Sequence, residues 1–499
     1  MGRGIAQMML EAGSAVTLFD SNTAQLDAAR ASISAGLSKR VTKGSMTQAA
    51  ADAMMEQLRS TAVAADLATC DLVVEAIVEN LAIKQSVLKQ IEAYLSADAV
   101  IVSNTSSLSV THIAAGLARP AQVAGWHFFN PVPLMKVVEV VAATQTNPDI
   151  IARLVAYTHA FGHTPVVCQD TPGFIVNHAG RAFGTEALAL VREGVTDFAT
   201  CDAILREAAG FRMGPFELMD LTALDVSHPV MESIYTQYYQ DPRYRPSNLA
   251  ANRLSAGMLG RKTQQGFYTY DAQGKLAQTL PTIDFVHADT MPTSLWLAPM
   301  EAATRAWLAA LAQKCGVPLE TGTSPSDTAL ILCAPLGRDV SSEISTHALP
   351  AERTLGIDGF IALDSVKRLT LMRCPVTSDN AAALAAAFLA HSGKAVSLIE
   401  DSAGFATQRV LAMVVAIGCE IAQQGIASPA DIDAAVRLGL GYPSGPLAWG
   451  DALQPTRVAT VLQNLQICTG DARYRPALWL QRRAQLGLSL LHVQKRGSK

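Results

Sequence analysis

The chain has 499 residues, of which 49% are hydrophobic and 16% charged, and its formal net charge at pH 7 is −4. This length corresponds to roughly three or four domains. The charge and the lack of a basic run argue against a nucleic-acid partner, and no apolar run reaches the roughly 20 residues of a membrane span. Eight cysteines without a Cys-x-x-Cys pair indicate neither a zinc site nor a disulfide framework. Since the start also lacks a signal-peptide pattern, we expect a cytoplasmic protein without a metal.

The amino-terminal segment predicts the second half of a dinucleotide-binding βαβ unit. Met1–Leu10 has the pattern of an apolar helix that stops at Gly13, and Ala15–Asp20 has the pattern of a strand that ends in an acid. In such a unit a strand and a glycine-rich turn precede the helix, and the acid binds the adenosine ribose. The first strand is missing here, and Gly2 is a candidate for the third glycine of the turn. We expect either that the natural chain begins upstream or that this chain binds the dinucleotide poorly.

The segment Ser21–Ser60 is rich in alanine and predicts helix. Within it, Lys39, Arg40 and Lys43 form a small basic cluster. Such a cluster is either an ordinary solvated face or a site for an acidic ligand, and the sequence leaves both open.

Polar residues follow two predicted buried strands, Asp71–Ala76 and Val100–Ser103. Glu79 comes after the first strand and Lys84 lies in the helix beyond it, while Asn104–Leu108 follows the second strand. Ligands of open α/β sheets bind beyond the carboxyl ends of the strands, so these side chains are expected to face the binding cleft. The hydroxyl and amide groups of Asn104–Leu108 could instead cap the following helix.

The segment Gly125–Glu139 carries the strongest chemical pattern in the chain. His127 precedes Glu139, and Pro131 and Pro133 between them exclude helix and predict a turn. A strand, a turn and a second strand would return the carboxylate to the imidazole, where it would fix the tautomer of a catalytic base. The alternative is a structural histidine at the end of a strand.

The second half of the chain repeats the first at a constant offset in residue number: Asp170–Phe174 recurs as Asp401–Phe405. This register indicates a duplicated architecture. The chemical positions are not retained: at the same offset, His127 corresponds to Asp358, Glu139 to Thr370, Ser106 to Gly337 and Asn177 to Gln408. We interpret the second half as a non-catalytic buttress and expect its helical part to pack against the first helical part. The predicted domains are residues 1–169 (α/β), 170–285 (helical), 286–399 (degenerate α/β) and 400–499 (helical).

Four segments in this order resemble the 3-hydroxyacyl-CoA dehydrogenases: Asp71–Asn80, Asn104–Leu108, His127–Pro133 and Asp170–Asn177. The resemblance implies a Rossmann-type NAD-binding domain and an all-helical C-terminal domain, followed by a degenerate second copy of both. It also implies NAD-dependent oxidation of a 3-hydroxyacyl-CoA to a 3-oxoacyl-CoA. The two-copy layout is similar to the bacterial members of phenylacetate catabolism, which act on 3-hydroxyadipyl-CoA.

The resemblance assigns a role to each candidate site residue. His127 would be the general base oriented by Glu139, and Ser106 and Asn177 would hold the substrate oxygens. The residues expected to bind NAD are Gly2, Asp20, Glu79, Lys84 and Asn104. Ser32 and Lys39 would contact coenzyme A. An acid at the position of Asp20 favours NAD over NADP because it repels a ribose phosphate. We expect a homodimer.

Three other functions compete with this prediction. One is a dehydrogenase of the same architecture that acts on 2-hydroxy acids or 6-phosphogluconate, which the segments around His127 and Ser106 disfavour. Another is the oxidation of 3-hydroxybutyryl-CoA. The last is a catalytically impaired, truncated homologue that binds acyl-CoA without turning it over.

Overall fold

The strands form three sheets in the computed structural model, which describes residues 1–277 and 291–493. The strands are β1 Val16–Phe19, β2 Leu58–Thr61, β3 Leu72–Glu75, β4 Val100–Ser103, β5 Val123–Phe128, β6 Val137–Ala142, β7 Thr164–Gln169, β8 Leu295–Leu297, β9 Leu330–Cys333, β10 Thr354–Ile357, β11 Arg368–Arg373 and β12 Ala395–Glu400. The helices of the first half are α1 Gly2–Glu11, α2 Thr23–Thr42, α3 Gln48–Glu56, α4 Leu81–Glu92, α5 Val110–Ala114, α6 Pro148–Ala160, α7 Val176–Ala179, α8 Arg181–Arg192, α9 Phe198–Glu207, α10 Pro215–Thr222, α11 Leu224–Gln237 and α12 Asn248–Ser255. Those of the second half are α13 Ala302–Cys315, α14 Val340–His347, α15 Asp379–Ala390, α16 Ala406–Gln423, α17 Pro429–Leu440, α18 Pro446–Ala452, α19 Pro455–Thr469 and α20 Leu478–Leu486.

The described residues divide into two units, one of residues 1–178 with 424–440 and one of residues 179–277, 291–423 and 441–493. The predicted boundary between residues 285 and 286 lies outside the described residues, and the other predicted boundaries stay predictions. None of the helices described here is long and apolar enough to cross a membrane.

The first unit contains a five-stranded sheet in the order β3-β4-β5-β6-β7. Only β5 and β6 pair antiparallel, and the other neighbours are parallel. Ile5 and Met8 of α1 pack with Val100 and Val102 of β4 in one hydrophobic core. The helix and the strand that the apolar patterns of these two segments predict are both present, and they share one core.

β1 and β2 form a separate two-stranded parallel sheet, and β3 is an edge strand of the larger sheet. No strand within the described residues joins the two sheets. This split is the arrangement expected of a Rossmann-type domain without its first strand, which is central in that topology. The prediction that Ser21–Ser60 is helical is wrong at its end, because Leu58–Thr61 forms β2. The sequence of this strand shows no apolar alternation, and only its parallel pairing with β1 fixes it.

The second unit contains a five-stranded sheet that corresponds, by the offset of the repeat, to the sheet of the first unit. Its sheet has the order β12-β11-β10-β9-β8, and the bounds of β11 and β12 match those of β6 and β7 at the offset of the repeat. The helices α8 and α16 of the two halves pack against each other, which confirms the expected packing of the helical parts. A buried ion pair joins them, since Arg409 Nε lies 2.8 Å from Glu186 Oε1 and both side chains are 1% exposed.

Candidate active site

His127 and Glu139 lie directly opposite each other on the antiparallel strands β5 and β6. Side chains at opposed positions of such a pair point to the same face of the sheet. His127 Nδ1 lies 2.6 Å from Glu139 Oε2, and both residues are buried. The turn between the strands, which includes a cis peptide bond between Asn130 and Pro131, therefore returns the carboxylate to the imidazole in the way that the proline pattern predicts.

The carboxylate of Glu139 is held from a second side. Its Oε1 accepts hydrogen bonds from the backbone N–H groups of Ile175 and Val176, each at 2.8 Å. These groups stand at the start of α7, where backbone N–H groups have no partner inside the helix. Two backbone donors and the contact with the imidazole thus fix a fully buried carboxylate, and its orientation is determined by the chain on both sides.

Asn177 follows Val176 in α7 and connects the dyad to the loop after β4. Its Nδ2 donates to the backbone carbonyl of Ser106 at 3.2 Å. The structure thereby joins the four predicted catalytic residues in one network, from His127 through Glu139 and α7 to Ser106. Their catalytic roles stay predictions.

Glu79 holds the loop that carries Ser106. Its Oε1 accepts hydrogen bonds from the Thr105 hydroxyl at 2.6 Å and from the backbone N–H groups of Ser106 and Ser107 at 3.1 and 3.2 Å. Burial acts to raise the pKa of Glu79, but the hydrogen bonds from Thr105 and Ser107 and the charge of Lys84 outweigh it, so the pKa lies below its ordinary value. At neutral pH the side chain is therefore an anion that organises this loop.

Lys84 is buried between two carboxylates, with its Nζ 2.6 Å from Glu75 Oε1 and 3.1 Å from Glu79 Oε2. Glu75 also accepts a hydrogen bond from the Ser103 hydroxyl. Glu75 and Ser103 were not among the predicted site residues, although an acid inside a buried apolar strand is a signal of such a site. Lys84 is 1% exposed, so in this conformation it balances the two acids, and its expected contact with NAD stays a prediction.

The other residues expected to bind NAD lie at the ends of strands and helices. A Cβ added to Gly2, at the start of α1, would lie 3.8 Å from the Cβ of Ala76, just beyond β3. Asp20 follows β1, and Asn104 follows β4 and accepts a hydrogen bond from the Phe128 N–H at 2.8 Å. A helix N-terminus attracts phosphate, and an acid after a strand suits a ribose hydroxyl. The positions of Gly2, Asp20 and Asn104 at the ends of helices and strands are therefore suited to a dinucleotide.

Ser32 and Lys39 both lie on α2, two turns apart and so on one face of the helix. Lys39 is exposed and Ser32 is half-buried. No hydrogen bond recorded among the described residues joins either side chain to the network of His127, so their contact with coenzyme A stays a prediction. Their neighbour Arg40 forms an ion pair with Glu11 at 2.5 Å.

The corresponding positions of the second half form a cluster without a histidine. Asp358 replaces His127 and accepts hydrogen bonds from the Thr407 hydroxyl and from Gln408 Nε2. Burial raises the pKa of Asp358 to about 6. Gln408 also donates to the carbonyl of Pro335, much as Asn177 donates to that of Ser106. The scaffold is retained here and the imidazole is lost.

Comparison with known proteins identifies the family of the chain. Residues 1–171 match the family of the 3-hydroxyacyl-CoA dehydrogenase NAD binding domain, and residues 173–270 and 404–493 match the 3-hydroxyacyl-CoA dehydrogenase C-terminal domain. The chain belongs to the 3-hydroxyacyl-CoA dehydrogenase family. It is an NAD-dependent oxidoreductase with a Rossmann domain, a helical domain and a second, partial copy, as the sequence predicts.

Members of this family resemble the chain to different extents. The 3-hydroxyadipyl-CoA dehydrogenase of Escherichia coli is 34% identical over 97% of this chain and 96% of its own length. A probable 3-hydroxybutyryl-CoA dehydrogenase of Deinococcus radiodurans is 40% identical, over 54% of this chain and 96% of its own length. The crystal structure of 3-hydroxybutyryl-CoA dehydrogenase from Escherichia coli K12 has a TM-score of 0.85 and 33% identity, over 97% of this chain and 96% of that one.

Proposed function

We propose that this dehydrogenase oxidises 3-hydroxyadipyl-CoA to the 3-oxo thioester in phenylacetate degradation. The similarity to the Escherichia coli 3-hydroxyadipyl-CoA dehydrogenase supports this substrate, because it extends over nearly the whole of both chains and includes the second copy. The observation that carries the reaction is the contact of 2.6 Å between His127 Nδ1 and Glu139 Oε2.

His127 is the general base in this proposal. A carboxylate accepts hydrogen bonds and cannot donate them, so Glu139 requires the proton on Nδ1 and leaves the lone pair on Nε2 free. Nε2 takes the proton of the substrate 3-hydroxyl, and Glu139 stabilises the imidazolium that results. Because Glu139 is held by two backbone N–H groups, the imidazole is oriented before the substrate binds.

Ser106 and Asn177 position the substrate. The Ser106 hydroxyl hydrogen-bonds the oxygen of the 3-hydroxyl group, and the Asn177 amide helps to hold that oxygen or the thioester carbonyl. The contact between Asn177 Nδ2 and the Ser106 carbonyl supports a shared role, since it fixes both residues on one side of the dyad. Ser32 and Lys39 contact coenzyme A, whose phosphates suit the charge of Lys39.

Gly2, Asp20, Glu79, Lys84 and Asn104 hold NAD in this proposal. When bound, NAD supplies the nicotinamide ring that accepts hydride. Asp20 binds the adenosine ribose and repels a phosphate at that position, which favours NAD over NADP. We further propose that the protein is cytoplasmic and that it forms a homodimer. Sedimentation of the purified protein tests the homodimer.

The second candidate function is the oxidation of 3-hydroxybutyryl-CoA. It is favoured by the structure from Escherichia coli K12, which bears that name and covers nearly the whole chain. The remaining alternative is an impaired homologue that only binds acyl-CoA.

NADH formation with the two thioesters as substrates separates these functions. A kcat/KM that favours the adipyl ester supports the proposal, and one that favours the butyryl ester supports the second candidate. Binding of either ester without any turnover indicates the impaired homologue.

His127→Gln tests the mechanism. We expect this variant to lose turnover by roughly 10²–10⁴-fold while it still binds a CoA ester in a calorimetric titration. His159→Gln is the matched control, because His159 is an exposed histidine of α6 in the same unit. Turnover retained by His127→Gln would remove His127 from the role of base.

A further inference from the structure

A segment from the second half of the chain completes the unit that contains the dyad. Residues 424–440, which include α17, belong to the first unit with residues 1–178. The segment approaches β7, which is an edge strand of the five-stranded sheet. Exposed edges of sheets leave backbone N–H groups unpaired, so the contacts of this segment with β7 have an energetic reason.

The second half of the chain pairs with the outer edge of β7. The Gln169 N–H donates to the carbonyl of Ile426 at 2.8 Å, and Cys168 forms an antiparallel bridge with Ala427. Pro165, near the other end of the strand, has no N–H to pair. The carboxyl end of β7 is therefore paired with the second half of the chain.

The relation between the halves is reciprocal. At the corresponding positions of the repeat, the Glu400 N–H of β12 donates to the carbonyl of Val195 in the first half, at 2.9 Å. The helix α9 of the first half packs on β11, as α17 of the second half packs on β6 and β7. Each half thus supplies one of the helices that pack on the sheet of the other. Only one of the two sheets carries the His127–Glu139 pair.

Gly439 of α17 packs on a residue that binds Glu139. A Cβ added at Gly439 would lie 3.0 and 3.1 Å from the two γ carbons of Val176 and 3.6 Å from Val137 Cγ1. Val176 is 1% exposed, and its N–H is one of the two that donate to Glu139 at 2.8 Å. The backbone that orients the dyad therefore packs directly on Gly439, and a methyl group there would have to move Val176 by a few tenths of an ångström.

We propose that α17 is a positioning element for His127, and that Gly439 is the residue through which the second half of the chain sets the orientation of Glu139. This inference rests on the proposed role of His127 as base. It gives the catalytically silent copy a function in catalysis, because the copy holds the Val176 N–H against the carboxylate that fixes the imidazole.

Gly439→Ala tests the proposal in the full chain. Alanine is the better helix former, by about 1 kcal/mol, which offsets part of the cost of displacing Val176, so the variant is expected to fold. We expect kcat to fall roughly tenfold, since small displacements of catalytic groups cost one to two orders of magnitude. The KM values for NAD and for the CoA ester should not change. Leu438→Ala is the matched control, because Leu438 is its exposed neighbour in α17.

Val176→Ala removes both γ carbons that the new methyl group would meet and keeps the N–H that donates to Glu139. We compare the loss of kcat caused by Gly439→Ala in the wild-type background with the loss caused by it in the Val176→Ala background. The second loss should be at least threefold smaller, because the γ carbons that the new methyl group would meet are absent. A purely structural role of α17 would lower the melting temperature and would give no such compensation in kcat.

Two results would overturn the proposal: a wild-type kcat in Gly439→Ala, or the same loss from this substitution in both backgrounds. Failure of the underlying mechanism is recognised separately, by turnover of His127→Gln measured in the same series. If His127→Gln is inactive and Gly439→Ala is fully active, the role of His127 as base is supported and the positioning role of α17 is refuted.

Discussion

Glu139→Gln removes the charge from the dyad with little change in shape. The glutamine Oε1 can still accept the two N–H groups of Ile175 and Val176, which lie 2.8 Å from the carboxylate oxygen. Its amide nitrogen then takes the place of Oε2, which lies 2.6 Å from His127 Nδ1. That nitrogen donates, so Nδ1 has to accept, and the proton moves to Nε2.

The imidazole then has no lone pair for the substrate. A base held in the wrong tautomer loses roughly 10²–10⁴-fold in kcat, which corresponds to about 3–5 kcal/mol of activation free energy. The KM for NAD should stay within about twofold, because the change affects the chemical step and not binding.

The assay is initial-rate NADH formation, with the melting temperature measured in parallel. Glu92→Gln is the control for the loss of a buried carboxylate away from the dyad. Glu92 accepts the N–H groups of Ala118 at 2.8 Å and Arg119 at 2.9 Å on its two different oxygens, so this variant shows what the loss of such a contact costs without a change of tautomer. A Glu139→Gln variant that keeps kcat within about threefold of the wild type would refute the tautomer argument.

Three further variants test the surrounding structure. Asp358→Asn should raise the free energy of unfolding by up to about 3 kcal/mol near pH 8 and change it little near pH 4. The reason is that burial raises the pKa of Asp358 to about 6, so its ionisation lowers the stability of the folded state once the pH rises above the ordinary pKa of an aspartate. Equal effects of the substitution at both pH values in thermal unfolding would contradict this. Glu79→Gln should raise the KM for NAD or the CoA ester, because the loop of Ser106 loses its anionic acceptor. The pKa of Glu79 is lowered, so in the wild type this order is present at neutral pH and is lost as the pH falls through the lowered pKa; unchanged KM values would contradict the role. Arg409→Met leaves Glu186 buried with one cation fewer and should cost about 3–5 kcal/mol of stability, seen as a lower melting temperature that Glu186→Leu partly restores; an unchanged melting temperature would show that the pair is not needed.

Local patterns in the sequence are sufficient to predict most elements of the first half. Val100–Ser103 forms a strand with the bounds that its apolar run predicts, and Asp71–Ala76 and Ala15–Asp20 each contain the expected strand. The two prolines after His127 exclude helix and make the return of Glu139 predictable. β2 could not be predicted in this way, because Leu58–Thr61 has no alternating pattern and depends on its neighbour β1.

The surroundings of the dyad are where the sequence was least informative. Nothing in the local pattern of Ile175 and Val176 shows that their N–H groups bind the carboxylate of Glu139, which lies far upstream in the chain. The buried partners of Lys84 were missed for the same reason, since Glu75 and Ser103 come together only when β3 and β4 pair. Hydrogen bonds between distant backbone groups leave no periodicity in the sequence that could be read.

The family, the reaction class and the cofactor could be recognised from the sequence, because four segments in order resemble members of that family, and the proline pattern predicted that His127 and Glu139 meet. The duplication could be recognised as well, since a constant offset survives the loss of the predicted catalytic residues. How the two halves depend on each other became visible in the tertiary structure alone. The exchange of α9 and α17 between the two sheets, and the packing of Gly439 on Val176, are contacts between segments far apart in the sequence, and such contacts arise from which surfaces remain open once each sheet has formed.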